Sequence, residues 1–192
     1  MKPLKLIVGL GNPGIKYANT RHNVGFVFID MLCDKYGFNI KENKKFYGYA
    51  DKVDLAGHNV WLLKPETFMN LSGKSVASLA NFYKITNEEI LVVYDELDLP
   101  PGTAKLKKSG GHGGHNGLRD IIAMTGSNDF YRLRLGIGHP GHKSKVVSWV
   151  LNRASTDDEI SIDLAISNSL TIIEDLLDGH LEKAMKELHT NN

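Results

Sequence analysis

Two short runs, KLIVGL at residues 5–10 and EILVVYDEL at 89–97, carry apolar side chains almost without interruption. A strand with one wet face alternates apolar and polar residues. Unbroken runs of this length read instead as strands buried inside a sheet. Both end in chemistry that stops a strand: Gly11-Asn12-Pro13-Gly14 after the first, a cluster of acids in the second. Between and after them the period changes. Residues 23–36 and 71–84 space their apolar positions as helices do, the second through Val76, Leu79, Ala80 and Tyr83. KFYGYADKVDLAGHNVWLLKP reads as two strands around the turn Gly57-His58-Asn59. GTAKLKKS is a strand that runs into a glycine loop, NGLRDIIAM a helix that leaves it, and YRLRLGIG an alternating strand. Thr156-Asp157-Asp158-Glu159 has the form of a capping box opening a helix to about Asp178, with Gly179 as its stop and a short helix beyond. Strands alternating with helices, with no repeat and no linker, predict a single three-layer α/β domain over residues 1–192. Its mixed β-sheet should be covered by helices on both faces.

A chain of 192 residues can bury a substantial core. It has one cysteine, Cys33, which excludes a disulfide framework and a cysteine-rich zinc site. The N-terminal apolar run is too short for a signal peptide or a membrane span, so a cytoplasmic protein without membrane contact is expected. The formal net charge of +1 hides an uneven distribution. Between Pro101 and Arg153 stand nine basic residues and two acids, and from Ala154 onward nine acids and two lysines. Such a basic segment reads either as a local polyanion-binding face or as a solvated surface.

Gly9-Leu10-Gly11-Asn12-Pro13-Gly14 matches the dinucleotide-binding fingerprint in letters but not in physics. That motif needs a helix to begin within the loop, and Pro13 pushes Asn12 away from helical geometry. No acid ends a second strand at the distance where a ribose ligand is expected. The turn is better read as aiming Asn12 from a strand end, where α/β sheets place their sites.

Four other positions share that placement. His22 lies in TRHNVGF before an apolar helix, and Asp95 ends a buried strand. Asn70 and Asn116 stand where loops meet helix starts. Histidine can act as a base, an acid can orient it, and amides can bind a carbonyl or a peptide backbone. The alternative for each is structural: a core histidine, a turn acid, helix caps. The chain has no serine in a nucleophile elbow, and its one cysteine falls in a core helix. Attack by a histidine-activated water is the simpler chemistry. The loop SGGHGGHNG, residues 109–117, holds five glycines and two histidines. His112 and His115 could be metal ligands, but the chain offers no clear third ligand at metal spacing.

Five blocks, GLGNPG…Y…TRHNVG, KPETFMNLSG, YDELDLPPG, SGGHGGHNGLRD and RLRLGIGHPG, together resemble bacterial peptidyl-tRNA hydrolases in order and spacing. They extend to about Leu151, and the acidic remainder matches no block. The resemblance implies a monomeric hydrolase, without metal or cofactor. It would cleave the ester between a peptide and the 3′ end of tRNA, so that tRNA from prematurely released peptidyl-tRNA is recycled. By position, His22 would be the general base and Asp95 its orienting partner. Asn12 would contact the peptidyl part and separate blocked from free aminoacyl esters. Tyr17, Phe68, Asn70 and Asn116 would line the site for the tRNA 3′ end and the scissile bond. Lys107 and Arg134 would clamp the acceptor-stem phosphate, with Arg132 two residues away as the competing arginine. The glycine loop would be a gate, Gly113 letting it close and His115 packing on substrate. An RNA-binding module without chemistry and a metal-dependent hydrolase are the rival readings.

Overall fold

A computed structural model describes residues 1–191. Seven strands form one sheet in the order β2-β3-β4-β1-β5-β7-β6. Its centre is parallel: β1 (Leu6–Gly9) lies between β4 (His58–Pro65) and β5 (Ile90–Glu96), and β5 pairs with β7 (Tyr131–Gly136). Antiparallel strands extend both edges. β3 (Gly48–Leu55) pairs with β4 and β2 (Glu42–Asn43) with β3, while β6 (Ala104–Lys108) pairs with β7. The two apolar runs are the two central strands, and every residue of β1 is buried.

Alternate residues of these strands feed two cores. Ile7, Leu62, Leu91, Val93, Leu133 and Leu135 pack under α1 (Val24–Tyr36), α5 (Thr156–Thr171), α6 (Ile173–Leu177) and α7 (Leu181–Thr190). Leu6, Val8, Leu63, Ile90 and Val92 pack under α2 (Ser72–Phe82) and α3 (Asn116–Thr125). The mixed sheet with helices on both faces matches the expected fold class. Among the described residues no helix is long and apolar enough to cross a membrane.

Helix α1 crosses β1 glycine against glycine. A Cβ on Gly25 would lie 2.4 Å from the Leu10 nitrogen and 2.5 Å from the Val93 carbonyl oxygen, and one on Gly9 would lie 2.1 Å from the Gly25 oxygen. No side chain fits between these backbones.

Three local expectations change. The cap of α5 is Ser155, whose hydroxyl accepts from the Asp158 nitrogen, not a box opened by Thr156. The helix to Asp178 breaks at Ile172 into α5 and α6. β7 does not alternate with solvent, because α-helices and loops cover both faces and Arg132 is 1% exposed. The acidic C-terminal segment forms structural cover: His189 of α7 accepts from the Leu106 nitrogen at 3.1 Å, engaging a free backbone donor of edge strand β6.

Gly25→Ala should therefore cost at least ~2 kcal/mol by forcing α1 away from β1 and β5. A urea unfolding midpoint equal to that of the parent protein would refute this account of the crossing.

Candidate active site

After β1 the chain goes to the β4 side of the sheet, and after β5 to the β7 side. A crevice opens beyond strand ends where connections part in this way. Asn12 leaves β1 there, Asp95 is the second-last residue of β5, and a 3-10 turn at Arg21–Asn23 brings in His22 just before α1. The glycine crossing sets how near that turn approaches β5.

Asp95 is 3% exposed, and its carboxylate takes a hydrogen bond from each side. His22 Nδ1 lies 2.7 Å from Oδ2, and His115 Nε2 lies 2.7 Å from Oδ1. His115 Nδ1 accepts from the backbone nitrogens of Gly117 and Leu118, at 3.1 and 3.3 Å, capping α3. That assigns its ring proton to Nε2, which donates to Asp95. The same logic puts the His22 proton on Nδ1 and leaves Nε2 free of any protein partner among the described residues. Burial disfavours the Asp95 carboxylate, but two imidazole neighbours, through charge and hydrogen bonds, outweigh it and hold the group well below the usual carboxylate range. For His22, burial works against the imidazolium. The charge and hydrogen bond of Asp95 prevail, and its pKa rises above the ordinary value.

Asn12 is locked by Asn23. The Asn23 side chain accepts from the Asn12 nitrogen and donates to the Asn12 carbonyl, both at 2.9 Å. Asn12 Oδ1 in turn accepts from the Met69 nitrogen at 2.7 Å. With Oδ1 engaged, the side-chain atom left to bind a ligand is the donor Nδ2.

These groups line a cavity of about 320 Å³, together with Phe68, Asn70, Gly113 and Asn116. Phe68 is 58% exposed at its rim. Asn70 and Asn116 are exposed too, and neither is a helix cap, the alternative weighed for both. Asn70 sits within a 3-10 turn and Asn116 is the first residue of α3. Three amides and one free imidazole nitrogen thus face one space. Tyr17, half-buried in a separate turn, is not among the residues that line it.

The glycine loop divides into a fixed and an open part. Buried Arg132 donates from Nη1 to the Gly111 carbonyl at 2.5 Å and from Nη2 to the carbonyls of Gly110 and Asn128. Gly113 and Gly114 adopt φ of +58° and +84° in open space. His115, expected on a gate closing over substrate, is instead tied to Asp95 and to the start of α3. Its side chain positions the acid. Arg132 is likewise removed as a rival for phosphate, since its guanidinium holds the loop from inside the protein.

Strand register places Lys107 opposite Arg132 and Lys105 opposite Arg134, all on the face that carries α3. Lys107 is exposed, and Arg134 donates to Glu96 Oε1 at 2.9 Å, beside the cavity that Glu96 also lines. The two residues expected to form a clamp lie diagonally across the β6–β7 edge, outside the cavity.

Sequence reading missed the roles of Asn23 and Arg21, and weighed Arg132 only for phosphate, not as the anchor of the glycine loop. Arg21 stacks on Trp149 with its guanidinium carbon 3.5 Å from the ring centroid, and donates to the Trp149 carbonyl at 2.9 Å. It thereby ties α4 (Val146–Val150), whose valines form the cavity's apolar wall, to the residue next to His22. The letters RHN held the signal, but an arginine beside a histidine does not announce a partner 128 positions away.

His22, Asp95 and His115 also bring their ligand-type atoms within 4.8 Å of one another, a set the spacing of the sequence did not suggest. Their nitrogens already point at the two carboxylate oxygens, 2.7 Å away in each pair. An ion among them would have to displace both hydrogen bonds. The geometry favours an acid–base pair with a second histidine as support.

The family model described as Peptidyl-tRNA hydrolase matches residues 6–192. A peptidyl-tRNA hydrolase of Xanthomonas campestris pv. campestris is 55% identical over 190 residues, spanning 99% of this chain and 98% of its own. One from Stenotrophomonas maltophilia is 55% identical over 99% of both chains. A crystal structure of peptidyl-tRNA hydrolase from Acinetobacter baumannii superimposes with a TM-score of 0.96 at 48% identity, covering 98% of this chain and 96% of that one.

His115→Ala removes the α3 cap and one donor to Asp95. It should cost ~1 kcal/mol of stability and raise the Asp95 pKa toward the ordinary range. Unchanged Asp95 titration, followed by carboxyl NMR in the folded variant, would show that His115 only caps the helix.

Proposed function

The chain belongs to the peptidyl-tRNA hydrolase family, and from that premise we propose that it hydrolyses the ester joining a peptide to the 3′ end of tRNA, recycling tRNA from peptides released early by the ribosome. The observation that carries the mechanism is the 2.7 Å pair of His22 and Asp95 at the edge of a cavity ringed by amides. Water bound at His22 Nε2 loses its proton to that nitrogen as its oxygen attacks the ester carbonyl. Asp95 keeps the proton of Nδ1 in place, so that Nε2 presents its lone pair, and it stabilises the imidazolium that forms. The imidazolium then returns its proton to the 3′ oxygen of the ribose as the bond breaks. Side-chain amides of Asn70 and Asn116 bind the carbonyl oxygen and the terminal nucleotide. Asn12 Nδ2 is a donor with its own acceptor engaged. It suits the carbonyl of an N-acyl group and has nothing to offer the ammonium of a free aminoacyl ester, which also brings only donors.

No covalent intermediate is needed. The cavity is lined by no serine, threonine or cysteine. Burial, with Asp30 beside it, pushes the Cys33 thiol up to about 11, so it stays protonated and unreactive in α1. Cofactors play no part in this scheme. Lys107 and Arg134 hold the acceptor stem through a phosphate, and Phe68 offers an exposed ring to the 3′ end. Tyr17 acts, in this reading, only when substrate brings its turn inward, and the open glycines Gly113 and Gly114 let the loop tip follow. The enzyme works as a monomer of one domain, residues 1–192, in the cytoplasm, the compartment of translation.

The base must be neutral, so activity should fall as pH drops through the raised pKa of His22. Asp95→Asn removes the two effects that raise it and leaves burial, which lowers it. The acidic limb of kcat/KM should then move to lower pH while the plateau falls on the order of 10³-fold or more. His22→Ala should lose about 10²–10⁴-fold at every pH with the fold intact. An unmoved limb in folded Asp95→Asn would separate Asp95 from the base.

Lys107→Ala and Arg134→Ala should chiefly raise KM for N-acylaminoacyl-tRNA. A short ester lacking the tRNA body should be hydrolysed by both variants as by the parent enzyme. Equal losses on the two substrates would rule out the phosphate contact.

A further inference from the structure

Asn12 borders two recesses. Its side chain reaches from the end of β1 to Met69 beyond β4, and behind this bridge lies a groove of about 350 Å³ that the mechanism does not use. One wall is the open stripe of α1, Phe26, Val27 and Asp30, and the other is Tyr49 of β3 with Lys64 and Pro65 of β4. Lys64 Nζ pairs with Asp30 at 2.6 Å and lies 5.4 and 5.7 Å from the ring centroids of Phe26 and Tyr49. The only cation in the lining is thus neutralised and covered by rings. A second acid, Glu66, stands at the margin. Such a surface repels phosphate and accepts apolar side chains and neutral backbone.

The order of strands supplies the direction. The reacting ester sits above β1 and β5, and the cations Lys107 and Arg134 belong to β6 and β7, on one side of it. The groove belongs to β4 and β3, on the other side. RNA and peptide leave the ester bond in opposite directions, so if RNA extends toward β7 and β6 the peptide extends toward β4 and β3. Its path crosses Asn12, whose free Nδ2 faces the first acyl carbonyl.

We propose that this groove is the subsite for the peptide residues that precede the esterified one, and that it favours an apolar or aromatic penultimate side chain. The proposal rests on the ester-hydrolase reading above. It makes the enzyme sensitive to peptide length beyond the first acyl carbonyl, through contacts distant from the chemistry.

The test compares N-acetyl-aminoacyl-tRNA with an N-acetyl-tripeptidyl-tRNA bearing phenylalanine at the penultimate position. For the parent enzyme KM should be about tenfold lower on the longer substrate, the yield of burying roughly one apolar side chain. Val27→Trp, which fills the groove, should bring the ratio of the two KM values to one, and Tyr49→Ala, which strips one wall, should reduce it. Tyr49→Ala serves as the independent variant should Val27→Trp fold poorly. A parent enzyme indifferent to length would overturn the proposal, and so would a ratio that survives both variants. Equal increases in KM on both substrates would assign the groove to the tRNA end instead. If the parent enzyme cleaved neither substrate, the hydrolase reading itself would fail, a result distinct from these.

Discussion

A buried carboxylate that must stay ionised is expensive, and the centre of this protein is arranged around one. Among the described residues Asp95 pairs with two histidines and with no lysine or arginine. It is satisfied by two imidazole N–H groups that come from positions 73 residues before it and 20 after it. Placing both within 2.7 Å requires β5, the turn ahead of α1 and the start of α3 to meet at one point. The hydrogen bonds that keep the acid charged also fix both histidine tautomers, and only one imidazole is left with a free nitrogen facing the cavity. In the proposed mechanism, stability and chemistry therefore rest on the same pair of contacts.

The rest of the site is built from locks on backbone. Asn23 holds both polar groups of residue 12, Arg132 holds the carbonyls of the glycine loop from below, and Arg21 holds α4 by a stacked ring and a carbonyl. Each uses a side chain with fixed planar geometry, which loses little freedom on ordering relative to the bonds it makes. The cavity's amides are thereby presented by loops whose ends cannot drift, while Gly113 and Gly114 keep freedom at the loop tip. Charge follows the same division. The acidic α5–α7 cover one face of the sheet, while exposed Lys105 and Lys107 stand on the other, beside Arg134 in its pair with Glu96.

Much of this was legible in the sequence because it is written locally. Short continuous apolar runs bounded by glycine-rich or acidic turns read as interior strands, so the α/β class and most elements follow from spacing. The placement of Asn12 and Asp95 at strand ends follows too, since strand ends are sites in such sheets. Motif blocks named the family because five of them stand in order, and the likeness to a solved relative agrees over 98% of the chain.

What the tertiary structure decided depends on which distant residues share a space. The sequence could pair His22 with Asp95 but could not show that His115 completes the acid, because a histidine in a glycine loop looks mobile until α3 needs a cap. It could not choose between Arg132 and Arg134. Both lie on one strand two residues apart, on the same face, and only the loop folded over Arg132 separates them by burial. Nor could it see Arg21 reaching Trp149, or a second groove behind Asn12, since these arise where α1 meets elements far along the chain. Local pattern sets the strands, helices and turns through backbone geometry and hydrophobic burial. Which polar groups then become partners is settled only by packing, because a hydrogen bond depends on ångström distances that spacing in sequence does not encode.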